Sequence, residues 1–230
     1  MPVLYVIATP IGNLEDISIR ALRILSEVKL IAAEDTRTTR HLLRDHNIKT
    51  TLTSFHEHSK RAKLHYLLDY LEKEDLALVS EAGMPGLSDP GYELITAAVE
   101  RGASVVPIPG ASAVITALVV SGLPTDQFIY IGFFPRRKGQ RQRMLNSIIE
   151  EPRTIVAFET PHRLSEALKD VEEILGNRRI SVCRELTKVH EEIFRGRINE
   201  AREYFVEPRG EFTLVIEGKT RAWLKFQERS

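Results

Sequence analysis

The chain has one cysteine, Cys183, and one tryptophan, Trp223, in 230 residues. A single cysteine closes no internal disulfide, so a stapled secreted scaffold is excluded. Thirteen glycines and eleven prolines are an ordinary share for a globular chain, which excludes collagen and low-complexity linker sequence. Long apolar runs are missing as well. The longest, Ala111 to Leu123, falls short of the roughly 18 to 20 residues that cross a bilayer. Met1-Pro2-Val3-Leu4-Tyr5 lacks the basic start and long apolar stretch of a signal peptide, so a cytoplasmic protein without membrane contact is expected. With 43% hydrophobic and 28% charged residues, the length suits one large domain or two small ones.

Net charge is the last thing absent. Lysine and arginine number 32, as do aspartate and glutamate, and a zero total argues against a nucleic-acid partner. That zero is an average. Residues 1–115 hold 12 basic and 15 acidic side chains and the remainder 20 and 17, so the halves carry minus three and plus three. The strongest local excess is Arg136, Arg137, Lys138, Arg141 and Arg143, five cations in eight residues with no acid among them.

The pattern along the chain is strand, loop, helix. Val3 to Ala8 is a short β-branched apolar run that stops at Thr9-Pro10-Ile11-Gly12-Asn13. From Ile17 the apolar residues recur at helical spacing, with Asp16 placed as the N-cap. Leu30 to Ala33 reads as a second buried strand, ending in Glu34-Asp35-Thr36-Arg37 before a helix to about His46. Leu76 to Ser80 reads as another, followed by a Gly- and Pro-rich loop and a helix from Tyr92, with Asp89 as N-cap and Pro90 in the first turn. Val105 to Ile108, then Pro109-Gly110-Ala111-Ser112 and a helix from Ala113, repeat the unit. Four such elbows imply a parallel α/β sheet whose ligands bind beyond the carboxyl ends of the strands.

After Gly122 the rhythm restarts. Strands are expected at Phe128 to Phe134, Thr154 to Phe158, Ile180 to Cys183 and Phe212 to Ile216. Helices are expected near Gln140 to Ile149 and from Thr160-Pro161 to Leu175. The expected division is residues 1–121, residues 122–218, and a charged tail at 219–230.

Common nucleotide fingerprints are absent. No GxGxxG follows the first strand, and Gly218-Lys219-Thr220 is no P-loop ending, since position 213 is Thr and no helix pattern follows. His56-Glu57-His58 holds the only close histidine pair and lacks a metal-binding helix or cysteine partner, so no metal site is expected. What remains is a set of loops rich in glycine and proline, whose exposed backbone suits a ligand read by main-chain hydrogen bonds.

The loops carry a specific resemblance. Ala8-Thr9-Pro10-Ile11-Gly12-Asn13-Leu14, Ala32-Ala33-Glu34-Asp35-Thr36-Arg37, Ser80-Glu81-Ala82-Gly83-Met84-Pro85 with Ser88-Asp89-Pro90-Gly91, Pro107-Ile108-Pro109-Gly110, Glu159-Thr160-Pro161-His162-Arg163 and Arg184-Glu185-Leu186-Thr187-Lys188 occur together in order over residues 3–218. This set resembles the ribosomal RNA small subunit methyltransferase I family of the tetrapyrrole methylase superfamily. The resemblance implies a two-domain α/β fold with a parallel-sheet N-terminal domain, a mixed-sheet C-terminal domain and the cofactor cleft between them. It further implies a homodimer that uses S-adenosyl-L-methionine to 2'-O-methylate a cytidine ribose in the decoding region of 16S rRNA, free or in the small ribosomal subunit. Two superfamily alternatives stand beside it: a small-molecule, tetrapyrrole-type methylase, and a non-catalytic ribosome assembly factor.

On that resemblance the cofactor contacts are expected from Pro10, Gly12, Gly83, Met84, Pro85, Asp89, Pro109, Gly110, Ser112, Ala113, Phe158 and Glu159. The family's usual third motif has Asp and Thr where this chain has Glu81 and Met84, so position 84 brings no hydroxyl. Methyl transfer to a ribose hydroxyl needs alignment and help with the leaving proton. Asp35, Arg37, His56 and Glu57 are the candidate catalytic residues, although Asp35 also suits an N-cap with Arg37 on a solvated face. RNA contacts are expected from Arg136, Arg137, Lys138, Arg141, Arg143, Arg163, Arg184 and Lys188, cations that suit a phosphate backbone.

Overall fold

The structure is a computed structural model and describes residues 2–56 and 61–219. It divides into two compact units, Met1–Ser112 and Ala113–Ser230. The break precedes the helix that starts at Ala113, whereas the sequence pattern suggests one after it. That helix packs on strands of the second unit.

The first unit runs β1 (Val3–Ile7), α1 (Ile19–Glu27), β2 (Leu30–Ala33), α2 (Thr36–Asp45), β3 (Thr51–Ser54), α3 (Arg61–Leu71), β4 (Leu76–Val79), α4 (Tyr92–Glu100) and β5 (Ser104–Ile108). Its five strands lie in the order β3-β2-β4-β1-β5, all parallel. Every residue of β2 and β4 is buried, because helices cover both faces. One face is closed by Ala21, Ile24 and Leu25 of α1 with Leu42 and Leu43 of α2. The other is closed by Leu67, Leu68 and Leu71 of α3 with Leu94 and Ala98 of α4.

Two expected helix starts move. Asp16 lies in a short 3₁₀ turn, Leu14–Asp16, capped by Asn13, and α1 is capped by Ser18, whose Oγ accepts from the Ala21 amide at 3.1 Å. Asp89 does not cap α4: Gly91 occupies the cap at φ 132°, a left-handed conformation that glycine tolerates. Asp35 does cap α2.

The second unit runs α5 (Ala113–Val120), β6 (Phe128–Phe133), α6 (Lys138–Ser147), β7 (Thr154–Glu159), α7 (Pro161–Leu175), β8 (Arg179–Arg184), β9 (Glu192–Arg197), α8 (Ile198–Tyr204) and β10 (Phe212–Ile216). Its sheet order is β6-β7-β10-β8-β9, parallel at β6 and β7 and antiparallel elsewhere. The last strand is inserted at the centre, with Leu214 opposite both Ala157 and Val182. All five of its residues are buried. Cys183 lies buried in β8, as a lone strand cysteine commonly does. Thus an all-parallel and a mixed sheet are both present, as expected.

The strands β3 and β9 and the helices α3 and α8 are not among the expected elements. Both strands are sheet edges with polar sequences, Thr-Leu-Thr-Ser and Glu-Ile-Phe-Arg-Gly-Arg, so neither shows a buried strand's apolar run. Among the described residues no helix is long and apolar enough to cross a membrane. Trp223 and the rest of the expected tail beyond Lys219 lie outside the described residues.

Candidate functional site

A parallel sheet collects the loops that follow its strands at one edge. In the first unit β1 and β4 are neighbours, and their following helices depart to opposite faces, α1 with one cluster and α4 with the other. A crevice opens between such strands at their carboxyl ends. Pro10 and Gly12 lie in the loop after β1, Gly83, Met84, Pro85 and Asp89 in the loop after β4, and Pro109, Gly110 and Ser112 in the loop after β5. Nine of the expected cofactor residues are therefore gathered at one edge by the topology.

Backbone contacts hold this edge. Thr9 and Gly83 exchange two main-chain hydrogen bonds of 2.9 and 3.0 Å, pinning the loop after β1 to the loop after β4. The buried hydroxyl of Ser80 donates to the carbonyls of Ala82 and Gly83, both at 3.3 Å. Thr9 and Ser80 stand inside the loop motifs yet are not among the expected site residues; their hydroxyls face the main-chain carbonyls of Ser80, Ala82 and Gly83. Gly83, Gly86, Ser88 and Gly91 all have positive φ, so the loop folds back repeatedly. Gly110 packs so near β1 that a Cβ there would stand 2.9 Å from the Ala8 Cβ. Met84 turns into the apolar cluster beside α3 and α4.

Three acids share the edge. The Glu34 carboxylate accepts from the Glu81 amide at 3.1 Å. Burial, followed by the charges of Glu34 and Glu81, pushes the Asp89 carboxyl up to about 7, partly offset by a hydrogen bond from Ser80. Asp35 goes the other way. Its bonds to the Arg37 side chain at 2.7 Å and to the Arg37 amide at 2.7 Å hold it at about 2. A carboxylate that acidic and that well paired is poorly suited to accept a proton near neutral pH, whereas Asp89 is well matched. His56 follows β3 at the same edge and is exposed, above buried Phe55. Glu57 lies outside the described residues.

The second unit holds Ala113, at the start of α5, and Phe158 and Glu159, at the end of β7. Phe158 stacks edge-on with Tyr130 at 5.3 Å. The Glu159 side chain is fully buried: Oε1 accepts from the Thr160 amide and pairs with Arg163, each at 2.7 Å, while Oε2 has no partner among the described residues. Burial lifts its pKa, against the pull of those partners.

The expected RNA cations separate into two groups. Arg136, Arg137, Lys138 and Arg143 are exposed around the start of α6. Arg141 is not a surface residue: it is 1% exposed, and its guanidinium lies 2.6 Å from Asp170, itself buried. Helical spacing turns Arg141 inward with Leu145, so the run of cations does not form one face. Arg163 also donates to Thr160 Oγ1 and the Phe134 carbonyl, at 3.0 and 3.1 Å. Arg184 pairs with Glu192 at 2.8 Å, and Lys188 with Glu185 and Glu211 at 3.1 and 2.9 Å.

A family model of tetrapyrrole (corrin/porphyrin) methylases matches residues 3–202. The chain belongs to the tetrapyrrole methylase family. Among relatives of this methylase, a protein of Halalkalibacterium halodurans named ribosomal RNA small subunit methyltransferase I is 52% identical over 218 residues, covering 94% of this chain and 75% of its own. A Thermotoga maritima protein of the same name is 48% identical, covering 94% and 98%. Among solved structures, uroporphyrin-III C-methyltransferase of Thermus thermophilus complexed with S-adenosyl homocysteine is similar with a TM-score of 0.65, at 20% identity over 94% of this methylase and 97% of that chain. That likeness establishes the shared fold.

Proposed function

We propose that the chain is an S-adenosylmethionine-dependent methyltransferase of small-subunit ribosomal RNA, acting on the ribose 2'-hydroxyl of a cytidine in the decoding region of 16S rRNA. The 52% identity to a named small-subunit rRNA methyltransferase, over 94% of this chain, carries the rRNA reading. The ribose position is supported by the joint resemblance of the six loop motifs. Work in the cytoplasm as a homodimer belongs to the same proposal.

The loops at the carboxyl edge of the first unit's sheet support the cofactor reading. Gly83 stands in left-handed backbone at φ 78°, and Gly110 packs against Ala8 too closely for a Cβ, so both loops are bare backbone at these points. Backbone at Pro10 to Gly12, Gly83 to Pro85 and Pro109 to Ser112 would hold the nucleoside and amino-acid ends by main-chain hydrogen bonds. Bound S-adenosylmethionine supplies an electrophilic methyl group on a sulfonium. The chain's own contribution is alignment of the hydroxyl with that methyl, exclusion of water, and a place for the proton. Asp89 is the carboxyl at this edge whose acidity suits that last role.

The test is incubation of small ribosomal subunits from a strain lacking this methylation with the protein and methyl-labelled S-adenosylmethionine, followed by mapping. The expected outcome is label on one cytidine ribose of 16S rRNA. Label on a base, or transfer to a porphyrinoid with none to RNA, overturns the reading.

A further inference from the structure

The sequence places the RNA-facing cations in the second unit, yet the least neutralised basic surface described in the first unit lies along α2. A groove of about 400 Å³ runs between the outer side of α2 and the start of β3, the edge strand of the sheet. Arg40, Arg44 and Lys49 line it, all exposed, and no carboxylate does. None of the three makes an ion pair among the described residues, in contrast to Arg37, which is tied to Asp35, and Arg101, which is tied to Asp69 and Glu72. Asp45, the acid of the same turn, is held by His41 at 3.4 Å.

Arg40 and Arg44 stand four apart on one face of α2, and like charges at that spacing repel. Arg44 offsets the negative end of the helix dipole, which accounts for one cation of the three. Lys49 comes from the connection beyond the helix and brings its charge to the same groove, an arrangement that relaxes when an anion is shared. Guanidinium groups bind phosphate oxygens in pairs, and the apolar floor of Leu43 and Ile48 suits the sugar between successive phosphates.

We infer that this groove binds the phosphate backbone of the RNA substrate, making the α2 side of the first unit a docking track. The inference rests on the rRNA reading above. It is tested by the full-length protein carrying Arg40→Gln, Arg44→Gln and Lys49→Gln together, and separately by Arg44→Glu. Affinity for small ribosomal subunits is measured over a range of sodium chloride concentrations. The triple variant is expected to bind at least about tenfold more weakly at low salt, with the log–log salt slope reduced by about two. Arg44→Glu is expected to weaken binding more than Arg44→Gln. S-adenosylmethionine affinity by calorimetry is expected to match wild type, which shows that the fold is intact. Unchanged subunit affinity and salt slope, with wild-type protein that methylates rRNA, overturn the groove. Equal competition by a polyglutamate peptide and by RNA overturns it too, since the groove would then take acidic protein. Wild-type protein that neither binds nor methylates small subunits overturns the rRNA reading instead.

Discussion

The two units treat the charge they bury differently. In the first, Glu34, Glu81 and Asp89 gather at one sheet edge, and burial with like charge lifts Asp89 to about 7. In the second, Arg141 lies against Asp170, Arg163 against Glu159, Arg184 against Glu192 and Lys188 against Glu185. A charge with its partner alongside stabilises the fold and is largely spent. A charge set beside its own sign is held ready for a proton, a sulfonium or a phosphate. The difference teaches that counting cations in a loop says little until their partners are known.

The largest expected effect breaks the comparison at Arg141. Arg141→Met leaves Asp170 buried without its counter-ion, retaining a bond from the Gln142 amide at 3.1 Å. Stability measured by urea unfolding is expected to fall by about 3–5 kcal/mol, with affinity of the folded fraction for RNA unchanged. A small stability loss with weaker RNA binding would return Arg141 to the RNA surface.

Asp89 sharpens the comparison through pH. Its folded pKa is raised from the ordinary 3.8 to about 7, so its stabilising contribution is complete below the unfolded value and is lost as pH rises through about 7. Asp89→Asn is therefore expected to gain stability relative to wild type between pH 5 and pH 8, read as the shift in unfolding midpoint. The ionised form attracts the sulfonium, so wild-type cofactor affinity is expected to rise severalfold over the same interval while the variant's stays flat. Parallel pH profiles for the two proteins would remove Asp89 from the site.

The smallest effect concerns the exposed cations that do belong to the second unit's surface. Arg136→Ala with Arg137→Ala is expected to weaken RNA binding a fewfold and to lower the salt slope by about one to two. A loss as large as that of the groove triple would shift the main RNA track to the second unit.

Much of the fold was legible because buried parallel strands leave short β-branched runs closed by glycine and proline, as Val3–Ile7 and Leu76–Val79 do. The polar edge strands Thr51–Ser54 and Glu192–Arg197 leave no such run and were not, whereas the apolar edges Ser104–Ile108 and Phe128–Phe133 were. The loops after the strands were legible for a related reason: Gly83 takes a left-handed φ of 78° and Gly110 leaves no room for a Cβ beside Ala8. Two signals in the sequence pointed astray. Asp89 ahead of Pro90 has the form of a helix start, yet Gly91 takes the cap. The cations from Arg136 to Arg143 have the form of one patch, yet the turn of α6 buries one of them.

The sequence by itself determined the two α/β sheets, the loops at their strand ends and the family to which they belong, because periodicity and turn chemistry are local properties. Tertiary structure alone decided which charges are free. Asp35 is neutralised by a neighbour two residues on, Arg141 by an acid 29 residues away, and Arg40, Arg44 and Lys49 by nothing described. Electrostatic energy depends on distance through space and on burial, and neither is written in the order of residues.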